Sequence, residues 1–409
     1  MELFHLVSIL IVISASFAYI NFRFLKLPGT IGLMAVSLLF SLLLIVSGQI
    51  LSPFRSIVTE RLGTINFSEL LLEGMLSFML FAGAIHIKYQ DLKSEKLSIL
   101  FFSTISVIIS TFIIGFTSYF LFRLFNINIS LVNTLLFGAL ISPTDPISVL
   151  SILKNAGITK SLETKIAGES LFNDGVAVVL FITILQLTKP GVELNAGNVL
   201  ALFGREAIGG IFLGIALGYL GYRIFASIDN YQVEVLITIA MVMGGYTLAH
   251  FIHVSGPLAM VVAGLITGNH GKSFGMSETT AEYVDKFWEL LDGILNAVLF
   301  VLIGLELLII QISTSIILIS LLLIIVGLLT RYISVLLPSI VIRLKEKITG
   351  KTLAILTWGG LRGGISIALA LSIPADLNRD IFVTITYVVV CFSILVQGLT
   401  ISKLVKLNH

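Results

Sequence analysis

From residue 3 to residue 403 the chain passes through one apolar run after another, most of them long enough to cross a bilayer. At 1.5 Å rise per residue, about 20 helical residues span a hydrocarbon core of about 30 Å. Thirteen runs can be drawn, over 3–21, 29–48, 66–87, 97–123, 130–153, 162–187, 205–227, 232–252, 256–270, 284–310, 314–341, 350–373 and 379–403. Backbone groups in lipid must be satisfied inside each segment, so runs of this length read as helices. The expected fold class is an all-α polytopic membrane protein with about 13 transmembrane helices. Only 12% of the 409 residues are charged and 57% are hydrophobic, whereas soluble domains carry about 25% charged residues. That balance excludes a soluble enzyme and leaves 1–409 as a single membrane domain, with no soluble regulatory domain expected.

Basic residues orient the spans. Of the 25 Lys and Arg residues, 17 fall in loops after odd-numbered spans or in the C-terminal tail, and 6 fall on the other side. The remaining two, Arg331 and Arg362, lie inside spans. This bias predicts an external N-terminus, a cytoplasmic C-terminus and an odd number of helices. Thirteen then divides into six helices (1–188), a linker with span 7 (189–230) and six more (231–409), so the halves would be inverted repeats. The segment 49–65, with Arg55, Glu60 and Arg61, is expected to be an interfacial helix, and 271–283 the longest polar connection. The first residues, Met1-Glu2-Leu3-Phe4-His5, lack a basic n-region, so the first run is read as a mature helix. A single cysteine, Cys391, rules out an intrachain disulfide. No G-x-x-x-x-G-K-[ST] loop appears, so no nucleotide, and no other cofactor, is expected. Nothing in the pattern points to nucleic acid.

Span 6 contains the polar stretch Gly168-Glu169-Ser170-Leu171-Phe172-Asn173-Asp174-Gly175. At 100° per residue Glu169, Ser170, Asn173 and Asp174 share about 140° of the helix circumference. Asp174 falls near mid-span, where an ionised side chain costs about 3 kcal/mol on insertion scales. Such residues mark ion or proton sites; a structural salt bridge is the plainer alternative.

The fifth span of each half carries a helix breaker. In span 5 it is Ser142-Pro143-Thr144-Asp145-Pro146. Pro146 supplies no N–H for the Ser142 carbonyl and Pro143 none for Ala139, and Ser142 and Asp145, each before a proline, are expected to leave α geometry. The freed carbonyls and Asp145 should then face whatever occupies the site. A simple proline kink would not need the carboxylate. In span 12 the breaker is Trp358-Gly359-Gly360-Leu361-Arg362-Gly363-Gly364. Tight packing would explain its glycines but not the charge of Arg362. Arg331 in span 11 needs a counter-charge, and its depth matches that of Glu169 within about one turn, which predicts a structural Glu169–Arg331 ion pair. Glu73 and His86 in span 3, His250 and His253 near the end of span 8, and Asp292, Asn296 and Glu306 in span 10 are weaker signals.

In order along the chain, these motifs resemble the monovalent cation/proton antiporter family that includes bacterial Na+/H+ antiporters and, more distantly, animal Na+/H+ exchangers. The matching stretches are 142–146, 168–175, Ser255-Gly256-Pro257-Leu258-Ala259, the run from Asn296 to Glu306, Arg331 and the run from Thr357 to Gly364. The resemblance implies a homodimer in the plasma membrane, a bacterial inner membrane in this reading. Each protomer would have thirteen helices, in two inverted six-helix repeats with discontinuous helices 5 and 12. It implies that Asp174 binds cation and proton in competition, assisted by Asp145, Ser170 and the Thr144 backbone carbonyl. These would be the ligands of a monovalent cation, Na+ or alternatively Li+ or K+. Glu169 and Arg331 match the family's buried pair. The Asn173-Asp174 pair is similar to the electroneutral branch, which exchanges one cation for one proton. Some relatives place a glutamate of span 3 at the cation; here the related stretch is Leu80-Phe81-Ala82-Gly83-Ala84-Ile85-His86, so that ligand is not carried over to Glu73. Two rivals stay open: a cation channel, and an organic-ion transporter in which Arg362 holds a substrate carboxylate.

Overall fold

Polar caps at the starts of apolar helices set the architecture. Ser130, Thr159, Asn230, Ser255, Ser277 and Thr349 each accept a backbone N–H in the first turn of the helix they precede. These caps satisfy donors that a helix start leaves unpaired. The computed structural model describes residues 2–47, 69–145, 150, 152–154, 156–189, 196–308, 310, 313–342 and 348–407. All regular elements among them are helical.

The spanning helices are α1 (Glu2–Ile20), α2 (Gly29–Val46), α3 (Leu76–Ile85), α4 (Ser106–Leu124), α5 (Leu131–Ile141), α6 (Lys160–Leu187) and α7 (Ala196–Phe225). They continue as α8 (Tyr231–Ile252), α9 (Gly256–Ile266), α10 (Glu278–Glu306) and α11 (Thr314–Ile342). Next comes α12, in two arms, Gly350–Trp358 and Gly364–Leu371, and then α13 (Arg379–Phe392). Nine helices among the described residues are long and apolar enough to cross a membrane. The shorter Leu70–Ile85 and Leu131–Ile141, together with α9 and the two-armed α12, complete the thirteen expected spans. Single π turns extend several of them: Leu70–Met75 leads into α3, Phe101–Ile105 into α4, and Ser393–Gln397 follows α13. Each re-aims the faces of the helix it joins.

α6 is the axis of the molecule. It packs against α3, α4, α5, α7, α9 and the second arm of α12. Around it, α7 brings Gly210, Gly214 and Gly218 against the backbone or side chains of Ser255, Ala259 and Ile266, so α7 and α9 approach closely. The outer helices expose large apolar side chains such as Val12, Phe212, Phe251 and Leu329. On a multi-pass membrane protein such exposed apolar positions suit an apolar environment.

Several expectations are corrected here. The polar connection expected over 271–283 is largely helical. Thr267–Gly271 prolongs α9, Lys272–Gly275 follows, and α10 starts at Glu278. An apolar-run criterion misses that start because the first turns of α10, capped by Ser277, are polar. α10 ends at Glu306 rather than at 310. His86 is not inside span 3 but caps its end. The interfacial helix expected over 49–65, with Arg55, Glu60 and Arg61, and the residue Pro146 lie outside the described residues.

Candidate functional site: two broken helices against α6

α5 stops at Ile141, and residues 142–145 follow it in non-helical or final-turn conformation. Ser142 departs from expectation. It keeps α geometry, with φ −72° and ψ −34°, although a proline follows it. Its backbone N–H and its hydroxyl both donate to the Ala139 carbonyl, at 3.4 and 2.9 Å. Those bonds hold the last turn against the preference that a following proline imposes. The Ala139 carbonyl, expected to be freed, is therefore satisfied locally. The carbonyls of Ser142 and Pro143 are freed, and both accept from Nη1 of Arg362, Pro143 at 2.9 Å.

The second break mirrors the first. At Trp358 the first arm of α12 ends; Gly360 N–H turns back to Thr357 and Leu361 N–H to Gly359. The Leu356 carbonyl then accepts from Nε and Nη2 of Arg331, at 3.2 and 3.1 Å. Each broken helix thus ends on an arginine: α5 on Arg362, the first arm of α12 on Arg331. Cations at helix C-termini offset the negative end of the dipole and satisfy orphan carbonyls. The two breaks are also tied to each other, since Asp145 N–H donates to the Leu361 carbonyl at 2.8 Å. Arg362 N–H is held by the Ser393 hydroxyl at 2.8 Å. A Cβ at Gly363 would fall on the carboxylate of Asp145, so the backbone of α12 presses directly against that group.

α6 presents its polar face to this crossing. The Ser170 hydroxyl donates to the Thr144 carbonyl at 2.8 Å. The Asn173 amide donates to the Thr144 hydroxyl, also at 2.8 Å, and leaves its buried Oδ1 without a hydrogen-bond partner. Glu169, 2% exposed, meets Arg331 Nη1 at 2.5 Å. Asp174, 8% exposed, is paired with no basic side chain among the described residues. Of the eight residues singled out from the sequence, Ser170, Asn173, Thr144, Asp145 and Arg362 are linked through the α5 break, and Glu169 and Arg331 form one pair beside it. Asp174 follows Asn173 directly in α6. Sequence reasoning missed the carbonyl of Leu356, the hydroxyl of Ser393 and the close approach of Gly363. A glycine run signals a break, but no local pattern says what a freed carbonyl will meet.

Near one end of α10, Asp285 is held between His86 Nδ1 at 3.1 Å and the Lys272 ammonium. Burial pulls the Lys272 ammonium pKa down, and Asp285 partly restores it. At the other end Glu306 is buried, with Oε2 lacking a partner. His250 and His253 lie at the exposed end of α8, His253 as its left-handed cap.

A buried carboxylate beside two helices broken within the membrane is the architecture of an ion-coupled secondary transporter. The profile of the family described as sodium/hydrogen exchanger, transmembrane, matches residues 11–407, and the chain belongs to that family. It is 47% identical to the Na+/H+ antiporter NhaP of Pseudomonas aeruginosa, over 98% of this chain and 96% of that protein. It is 34% identical to the Na+/H+ antiporter NhaH of Halobacillus dabanensis, over 99% and 98%. The fold matches that of the sodium proton antiporter MjNhaP1 from Methanocaldococcus jannaschii at pH 8, with a TM-score of 0.78 and 22% identity, over 99% of both chains.

Proposed function

We propose that this chain is a Na+/H+ antiporter that exchanges one Na+ for one H+, with cation and proton competing for Asp174. One observation carries the reading. Both arginines of the membrane interior are committed, Arg331 to Glu169 and Leu356 and Arg362 to the end of α5, and neither reaches Asp174. An ionised carboxylate at that depth needs a partner. A proton or a monovalent cation supplies it, and one excludes the other. The neutralised site crosses; the bare, charged site does not. Thr144, Ser170, Asp145 and Asn173 supply the other oxygens of the substrate site. In the geometry described here the Thr144 carbonyl accepts from Ser170, so cation binding would turn that hydroxyl away from it.

The organic-ion alternative is disfavoured because Arg362 Nη1 is engaged by two backbone carbonyls. A channel is disfavoured by the competition between cation and proton that the reading places at Asp174. In this reading 1–188 and 231–409 are inverted repeats and 189–230 is the linker. The protomer pairs with a second copy in the plasma membrane, with the N-terminus outside and the C-terminus in the cytoplasm. The test is proton flux in proteoliposomes loaded with a pH dye, with Na+, Li+ and K+ pulsed separately and the membrane potential clamped or free. Cation-driven flux that is insensitive to potential and lost in Asp174→Asn supports the reading. Flux that follows the potential contradicts one-for-one exchange.

A further inference from the structure

The α10 helix carries a line of oxygen groups that the exchange scheme does not use. Asp285, Asp292 and Asn296 follow one another at seven and four residues, which puts them on one helix face within about 40°. Asp285 sits at the surface end of that face, in contact with His86 and Lys272. Two turns further in on the same face, Asp292 is in electrostatic range of both His86 and Asp145. It is thus in electrostatic range of both the surface cluster and the α5 break.

Asn296, one turn deeper, is 4% exposed. Its amide donates to the Asp292 backbone carbonyl at 2.9 Å and also hydrogen-bonds the Asp292 carboxylate. Both Asp292 Oδ1 and Asn296 Oδ1 are buried acceptors without a hydrogen-bond partner. Buried acceptors are normally satisfied, and leaving one unmade costs about 1–3 kcal/mol. Two buried oxygens without hydrogen-bond partners, one of them on a carboxyl group, suit a cation.

We infer that Asp292 and Asn296 form an outer station for the monovalent cation, between the His86–Asp285–Lys272 cluster and the inner site at Asp174. The inference rests on the antiport reading given above. The station is weak by construction. Among the described residues no group of three His, Cys, Asp or Glu side chains converges to hold a metal ion. Its cation keeps part of its water and is passed inward. A negative group lining a narrow approach raises the local cation concentration, so the station acts on apparent affinity. Asp145 is the neighbour that receives the cation.

The test is the Na+ dependence of proton flux by the full-length protein in proteoliposomes. Asp292→Asn keeps the shape and removes the charge. It is expected to raise KM for Na+ about fivefold, by more than it lowers the maximal rate. Asn296→Asp adds a second carboxylate and is expected to lower KM. In the exchanged double variant, D292N with N296D, the charge is restored one turn away and KM should return to within about twofold of the parent. An unchanged KM in D292N overturns the outer station. Should D292N not fold, an unchanged or raised KM in N296D overturns it instead. The two claims fail separately: continued exchange by Asp174→Asn sinks the inner site, whereas these KM values concern only the outer one.

Discussion

Glu169 and Asp174 are five residues apart on one helix, and both are buried in the membrane interior. Glu169 has Arg331 at 2.5 Å, and that arginine also seals the broken end of α12. Asp174 has no such partner among the described residues. Burial alone therefore does not separate the two carboxylates; commitment of the nearby cations does, and the proposed exchange rests on that difference. Because the two breaks absorb both arginines, α6 keeps one carboxylate neutralised by the protein and leaves the other without a cationic partner among the described residues, the one the proposed exchange would neutralise with substrate.

The largest expected effect breaks the contrast on the working side. Asp174→Asn should abolish Na+-driven proton flux while leaving the melting temperature in detergent near that of the parent, since a neutral isostere removes no partner. Breaking the structural side comes next. Arg331→Ala strands Glu169 and unseals Leu356, and should destabilise the protein by about 3–5 kcal/mol, read as lost expression and an early melting transition. Replacing both partners, with Glu169→Gln added to Arg331→Met, should recover much of that loss, because no buried charge is left unpaired.

Smaller effects sharpen the comparison. Gly363→Ala drives a methyl group into the space of the Asp145 carboxylate. Asp145 must move by about 1 Å to make room, so the exchange rate should fall about tenfold or more, measured as initial proton flux. Ser170→Ala removes the hydroxyl that holds the Thr144 carbonyl. The loss is worth about 1 kcal/mol, so KM for Na+ should shift by several-fold or less, measured as initial flux against Na+ concentration.

Much of this was legible in the sequence because the membrane simplifies the code. Apolar runs locate helices, and a carboxylate within one needs an explanation. Pro143 just past α5 and the glycines between the arms of α12 mark the two breaks in the sequence. The depth match of Glu169 and Arg331 followed from helical rise alone. What stayed hidden depends on contacts between distant elements. That Arg362 in α12 would close the carbonyl end of α5, 219 residues away, has no local signature. Ser142 stayed helical because its own hydroxyl and N–H competed with the proline rule and won. Hydropathy alone misplaces the start of α10 and His86, because polar caps and end residues carry little of it.

The most direct measurement of the central claim is proton release on Na+ binding to the purified protein in weakly buffered detergent solution, followed with a pH dye. Competition at Asp174 predicts up to one proton released per protomer in the parent, approaching one where the site starts protonated, and none in Asp174→Asn. Na+ binding without any proton release at every pH, or release that persists in Asp174→Asn, would contradict the account.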